Sequence, residues 1–129
     1  MPDRQHFKPH TMPSTAGFSQ VVKAGNTVYI AGQVALTPER VLVGEGDPEA
    51  QVRQTWRNIQ LAVESVGGTL ENVVKTTTFV TSMECISATR KVRAELFPEG
   101  NAPPGTIVEI NRLSLPEAMV EIEAIAVLD

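Results

Sequence analysis

Apolar and polar residues alternate with two different periods along this chain, and the shorter period predicts five strands. Residues 106–110 and 120–127 alternate β-branched or other apolar residues with residues of opposite polarity, as β-strands do. Residues 18–23 and 27–32 are two further β-rich runs, and the Gly-Asn turn between them predicts a hairpin. Residues 72–80 are rich in β-branched side chains and predict another strand.

Two other stretches have the period of an α-helix. The first helix is predicted for residues 48–66, with Asp47 as N-cap and Gly67 beyond its end. The second follows Ser82 and runs to about Phe97. The positions predicted to face the core are Val52, Trp56, Ile59, Val63 and Val66 in the first helix and Cys85, Thr89, Val92 and Leu96 in the second.

The order β-β-α-β-α-β-β predicts one α+β domain over residues 1–129, with both helices on one face of a sheet of about six strands. The second face then meets solvent, a ligand or another subunit. Apolar residues at every second position of the last two strands include Val108, Ile110, Ile122 and Ala124. Because these residues indicate apolar surface on both faces of the sheet, we predict a homo-oligomer.

Two segments show neither the strand period nor the helix period. Residues 1–16 hold three prolines and both histidines, and they predict an extended or mobile N-terminal lead-in. His6 and His10 are four residues apart, but Pro9 between them argues against a shared helix face, so we predict no metal site there. Residues 34–46 predict a loop with little fixed structure of its own.

Composition narrows the functional classes. A chain of 129 residues with 42% hydrophobic and 20% charged residues is ordinary for a globular domain that buries its own core. The net charge of −4 repels nucleic acid, so we predict no nucleic-acid partner. The chain has no run of about 20 apolar residues and no apolar signal core, so we predict no membrane partner. The single cysteine, Cys85, fits a reducing compartment, and we expect a cytoplasmic protein.

Common catalytic motifs are missing from the sequence. It contains no Ser-His-Asp set, no phosphate-binding glycine loop and no cluster of metal ligands, so we predict neither metal nor cofactor. Cys85 is predicted to be a small buried hydrophobe, because no histidine outside the lead-in is available to deprotonate it. Glu109, Glu121 and Glu123 lie on the last two strands, either facing solvent or forming the floor of a ligand site.

Several motifs of this chain resemble those of the RidA (YjgF-like) family. They are Gly32-Gln33, ESVGG at 64–68, KTTTFV at 75–80, IVEINRL at 107–113 and VEIEAIAV at 120–127. The resemblance runs from about Gly17 to Val127. It implies a chorismate-mutase-like α+β fold, a homotrimer whose sheets form a central barrel, and small-molecule ligands in clefts between subunits. The best-known members hydrolyse reactive enamines and imines, such as 2-aminoacrylate, to keto acids and ammonia.

The resemblance also implies a set of site residues. In catalytic members a glutamate of the EIEAIA strand positions water and an arginine grips the substrate carboxylate. Glu121 matches the glutamate and is the implied catalytic residue, whereas Gly105 stands at the position of the arginine. Ile107 replaces a cysteine or small residue, Phe18 replaces a tyrosine, and Arg90 stands where an asparagine is common. The implied substrate-binding residues are Phe18, Ala31, Gly32, Arg90, Gly105 and Ile107.

Three functions remain open. The first is an enamine or imine deaminase with an altered substrate, in which Arg90 or Arg93 supplies the cation, although a solvated helix face also explains both arginines. The second is a non-catalytic trimer that binds a small molecule, or a member that acts on a more apolar substrate; Gly105 favours both. The third is the ribonuclease or translation-inhibitor activity attributed to some relatives, which fits poorly with the net charge of −4.

Overall fold

The computed structural model describes residues 3–129, in which two helices pack on one six-stranded sheet. In chain order the elements are β1 (Arg4–Phe7), β2 (Val21–Ala24), β3 (Thr27–Gln33), α1 (Pro48–Glu64), β4 (Val73–Val80), α2 (Glu84–Leu96), β5 (Gly105–Glu109) and β6 (Val120–Val127). The strands lie in the order β1-β2-β3-β6-β4-β5. The β4–β5 pair is parallel and the other neighbouring pairs are antiparallel. The predicted α+β class with its mixed sheet is therefore confirmed.

The core lies between the sheet and the helices. Alternate residues of β6 are buried there, namely Val120, Ile122, Ala124 and Ala126. Ile122 and Ala124 face the helices and Val108 faces the other way, so apolar residues lie on both faces of the sheet, as predicted. On the second face, Tyr29 and Val108 are exposed, and Glu121 and Glu123 lie on β6 between the strands that carry them. This second face carries both apolar and acidic groups.

Both helices begin where the sequence predicts. Asp47 caps α1 by accepting a hydrogen bond from the Ala50 backbone N–H at 3.2 Å, and Pro48 occupies the first turn. Trp56 is 4% exposed and packs edge-to-face on Phe97, so its predicted place in the core is confirmed. Cys85 on α2 is also fully buried, and this burial raises the pKa of its thiol. A thiol in this environment is a packing group, as predicted.

The loop of residues 34–46 is fixed by a buried amide of α1. Asn58 is fully buried, and its Nδ2 donates to the backbone carbonyls of Val34 and Leu36, both at 2.9 Å. Leu36 also bridges to Leu42 across the loop. The prediction that this loop has little fixed structure of its own is wrong, because backbone hydrogen bonds within it join Thr37 to Val41 at 2.9 Å and Val43 to Ala35 at 2.8 Å.

A second buried amide fixes the link that leads into β6. Gln51 is fully buried, and its Nε2 donates to the carbonyls of Gly44 and Glu117, both at 3.1 Å. Its Oε1 accepts the Met119 backbone N–H at 2.8 Å. One side chain of α1 thus joins the loop of residues 34–46 to the segment that ends at β6.

The N-terminal segment is extended and attached to the sheet. Residues Arg4–Phe7 form β1, which pairs antiparallel with β2. Farther along, Met12 is 2% exposed in the core, and Gln20 Nε2 donates to the Pro13 carbonyl at 2.6 Å. His6 Nδ1 lies 3.0 Å from Ser19 Oγ.

Residues 3–129 contain no group of three His, Cys, Asp or Glu side chains placed to hold a metal ion. Neither helix of the described chain is long and apolar enough to cross a membrane.

Candidate functional site

Glu121 lies half-buried on the second face of the sheet, directly over a glycine of the neighbouring strand. The β3–β6 register shifts between Ile30 and Gln33, and this irregularity places Gly32 beside Glu121. A Cβ at position 32 would overlap Oε2 of Glu121 and lie 2.9 Å from its Cδ. A side chain of this protein therefore approaches the backbone closely at Gly32, and the glycine provides the space for it.

The Glu121 carboxylate lines a cavity of about 170 Å³, which we call the Glu121 cavity. Phe18 and Gly32, both implied by the family resemblance, line the same cavity. Ser114 and Arg40 are also in its lining, although neither was among the predicted site residues. An aromatic ring, a carboxylate, a hydroxyl and a guanidinium thus surround one small space. Such a mixture is typical of a site for a small polar molecule.

The environment of Glu121 favours its protonated form. Burial is the larger cause and the negative charge of Glu123 the smaller, and both raise the pKa of the Glu121 carboxyl above its ordinary value. No salt bridge in the part of the chain from residue 3 to residue 129 includes Glu121. A carboxylate with a raised pKa and no cationic partner is a stronger base than an exposed glutamate, and such groups are candidates for proton transfer.

Gly105 and Ile107 lie on the opposite, helix-covered face of the sheet. In the parallel β4–β5 register Gly105 is beside Thr76 and Ile107 beside Thr78, and both threonines are buried under the helices. A Cβ at Gly105 would contact Oγ1 of Thr76 and lie 3.0 Å from its carbonyl oxygen. Gly105 and Glu121 are therefore not partners within one chain.

A second, smaller cavity of about 70 Å³ adjoins these residues, and we call it the Gly105 cavity. Gly105, Ile107 and Arg93 are among its lining residues. Two further lining residues have polar atoms that are buried without a hydrogen-bond partner, Nε1 of Trp56 and Oγ1 of Thr89. The Gly105 cavity is therefore polar and large enough for water, which needs roughly 15 Å³.

The two arginines considered as replacement cations differ in position. Arg93 is partly buried and lines the Gly105 cavity, whereas Arg90 is exposed and lines neither cavity. Ala31 lines a third space, of about 330 Å³, on the second face beside Tyr29 and Glu123. The residues that the resemblance implies are therefore divided among three places. Phe18, Gly32 and Glu121 line the Glu121 cavity, Gly105 and Ile107 line the Gly105 cavity, and Ala31 lines the third space.

Arg40 was missed because its position depends on the loop that carries it. It follows Pro38-Glu39 in a turn, and turn composition was the only local signal there. Its φ of +63° is the only positive value for a non-glycine residue among residues 3–129. The side chain of Arg40 is held by a hydrogen bond from Nη1 to the backbone carbonyl of Ser14 at 2.6 Å.

Known proteins of similar sequence and shape decide the family. Residues 9–128 match the family model described as Endoribonuclease L-PSP. The chain is 36% identical over 118 residues to a RutC family protein from Synechocystis, with 90% of each chain covered. The structure of RidA from an Antarctic Psychrobacter superposes with a TM-score of 0.88 at 33% identity, covering 96% of this chain and 99% of that one. The chain belongs to the RidA (YjgF-like) family.

A further structural neighbour was solved with a small molecule bound. Escherichia coli TdcF with bound serine superposes with a TM-score of 0.87 at 26% identity, covering 97% of this chain and 99% of TdcF. The predicted RidA-family membership and fold are therefore confirmed, and the serine complex is a property of TdcF.

Proposed function

We propose that this RidA-family protein hydrolyses reactive imines, and the enamines that tautomerise to them, to keto compounds and ammonia. The observation that carries the proposal is the half-buried Glu121 carboxylate, which lines a cavity with Phe18 and has no cationic partner in residues 3–129. Family membership supports the reaction class, and the raised pKa of Glu121 supports its role as a base.

The proposed reaction needs water, one base and no cofactor. Glu121 accepts a proton from water while the water oxygen forms a bond to the carbon of the C=N group. Glu121 then passes this proton to nitrogen, which gives a carbinolamine. Glu121 next accepts the proton of the new hydroxyl group and passes it to nitrogen, so that the C=O bond forms as the C–N bond breaks and ammonia leaves. Phe18 offers a flat apolar surface at the cavity, which suits a planar conjugated substrate.

We also propose that the working form is a homotrimer with the cavity at a subunit boundary. Phe18, Tyr29 and Val108 are 54%, 51% and 37% exposed, and a second copy of the chain is a suitable cover for such residues. Sedimentation equilibrium tests the assembly, with an expected mass of three chains of 14.0 kDa each. A mass of one chain would contradict an intersubunit cleft.

The activity test uses 2-aminoacrylate generated in the assay, with ammonia and pyruvate release measured above the uncatalysed rate. We expect Glu121→Gln to lower kcat by about 100-fold or more, the usual contribution of a positioned general base. Glu109→Gln is the matched control, because Glu109 is an exposed strand carboxylate that lines none of the three cavities. Its activity should equal that of the wild type.

A non-catalytic trimer that binds a small molecule is the second candidate, and Gly105 favours it because a glycine supplies no charge. A wild-type rate equal to the uncatalysed rate, together with saturable ligand binding, would establish this alternative. We do not extend the endoribonuclease activity in the family model's description to this chain, because a net charge of −4 opposes RNA binding.

A further inference from the structure

Arg40, an exposed arginine of the loop of residues 34–46, is among the residues that line the Glu121 cavity. We propose that Arg40 binds the carboxylate of a small carboxylic acid there, in place of the arginine that Gly105 replaces, so that the 2-imino and 2-enamino acids implied by the family resemblance remain the substrates. The assignment of a substrate rests on the proposed function. The binding of a carboxylate does not, and it can be measured separately.

The guanidinium of Arg40 is held by one hydrogen bond and keeps its other N–H donors for a ligand. Its Nη1 donates to the backbone carbonyl of Ser14 at 2.6 Å. Arg40 forms no salt bridge with any carboxylate of residues 3–129. An arginine carries five N–H donors in a planar fork, so one bond to a neutral carbonyl leaves donors and the full positive charge available. A carboxylate is the ligand that this fork matches in shape and charge.

The backbone of Arg40 supports a role for its side chain. Arg40 has a φ of +63°, and its N–H donates to the Thr37 carbonyl at 2.8 Å within a tight turn. For a residue with a Cβ this left-handed conformation costs about 1 kcal/mol, whereas glycine adopts it freely. The turn is closed independently, since Thr37 Oγ1 accepts the Val41 N–H at 3.1 Å. A large cation at a position that suits glycine points to a function of the side chain.

The cavity accommodates both ends of such a substrate. Arg40 and Glu121 line the same space of about 170 Å³ without forming a salt bridge with each other. That volume exceeds the roughly 15 Å³ needed for one water by about tenfold, which leaves room for a compound of a few heavy atoms. A 2-imino acid held by its carboxylate at Arg40 offers its adjacent C=N carbon to water beside Glu121.

The binding test uses pyruvate, the keto acid that the reaction would release, titrated by calorimetry or NMR. We expect Arg40→Gln to raise the Kd at least tenfold, and Arg40→Lys to raise it less because the charge remains but the fork is lost. Arg57→Gln is the matched control, since Arg57 is an exposed arginine of α1 that lines none of the cavities; its Kd should be unchanged. Arg40→Gly should also lose binding while keeping a native unfolding transition.

The kinetic test separates this inference from the proposed function. With 2-aminoacrylate, Arg40→Gln should raise KM at least tenfold and alter kcat less; with an imine that lacks a carboxylate, KM should not change.

Pyruvate binding that depends on Arg40, without any ammonia release, would refute the hydrolase and leave the carboxylate site standing. Hydrolysis with an unchanged KM in Arg40→Gln would refute the carboxylate site alone. Loss of pyruvate binding in Arg93→Gln instead of Arg40→Gln would move the site to the Gly105 cavity and overturn the inference.

Discussion

Replacing Asn58 with alanine should destabilise the protein strongly, because this buried amide holds the loop that carries Arg40. Asn58 donates to two backbone carbonyls, those of Val34 and Leu36, at 2.9 Å each. Truncation removes one donor from each oxygen, but neither oxygen loses its last donor. The Val34 carbonyl keeps the Leu36 N–H at 2.8 Å, and Gln54 Nε2 lies 3.5 Å from the Leu36 carbonyl. Each lost hydrogen bond contributes about 0.5–1.5 kcal/mol, so we expect a loss of about 1–3 kcal/mol from the free energy of unfolding.

Urea unfolding at fixed protein concentration measures this loss, with the fluorescence of Trp56 as the signal. Trp56 is the only tryptophan of the chain and is 4% exposed, so its emission should change on unfolding. Gln60→Ala is the control, since Gln60 lies on the same helix but its hydrogen bond to Glu64 is exposed; we expect a change within about 0.5 kcal/mol. A loss below about 1 kcal/mol for Asn58→Ala, with an unchanged urea slope, would refute the view that this amide fixes the loop.

Three further predictions test the site. Burial and Glu123 raise the folded-state pKa of Glu121 above its ordinary value of 4.5, so its contribution to stability is present below that pH and is lost as the pH rises through the folded pKa. Glu121→Gln should therefore be more stable than the wild type at pH 7 and equal to it in acid; a pH-independent difference in urea unfolding would contradict this. Gly32→Ala should displace the Glu121 carboxylate and reduce ammonia release at least tenfold. Unaltered turnover would show that the Glu121 carboxylate does not need the space that a glycine leaves at position 32. Arg40→Gly should be more stable than Arg40→Ala by about 1 kcal/mol in the same unfolding assay, because only the alanine keeps the strained backbone; equal stabilities would remove the argument from strain.

The periodicity of side chains predicted the elements that bury a face. The last strand alternates buried and less buried residues along Val120–Val127, and that burial is what its sequence displays. Strand β1 gave no such signal, because three of its four residues, Arg4–Phe7, are exposed. It exists through backbone pairing with β2 at the edge of the sheet. Backbone pairing alone does not require apolar and polar side chains to alternate, so the sequence carries no sign of this strand.

The site was predictable only in part, for a related reason. Family resemblance identified Phe18, Gly32 and Glu121, and folding brings these three distant positions to one cavity. The side chain of Arg40 is held by a bond to the Ser14 carbonyl, which is 26 residues away in sequence, and no local pattern encodes such a bond. Arg90 lies on the exposed side of α2, as the plainer interpretation of a solvated helix face expected.

The glycine at position 105, one of the departures from the family pattern, is explained if Arg40 holds the carboxylate. The anionic end of the substrate and the water beside Glu121 would then lie in one cavity of one chain. Position 105 would need no charge, and a glycine there avoids the contact that a Cβ would make with Thr76. A neighbouring subunit would serve mainly to cover Phe18 and exclude water from the cavity, which strengthens the electrostatic contacts inside it. On this view the cation was moved from a strand to a loop, and the chemistry at Glu121 was kept.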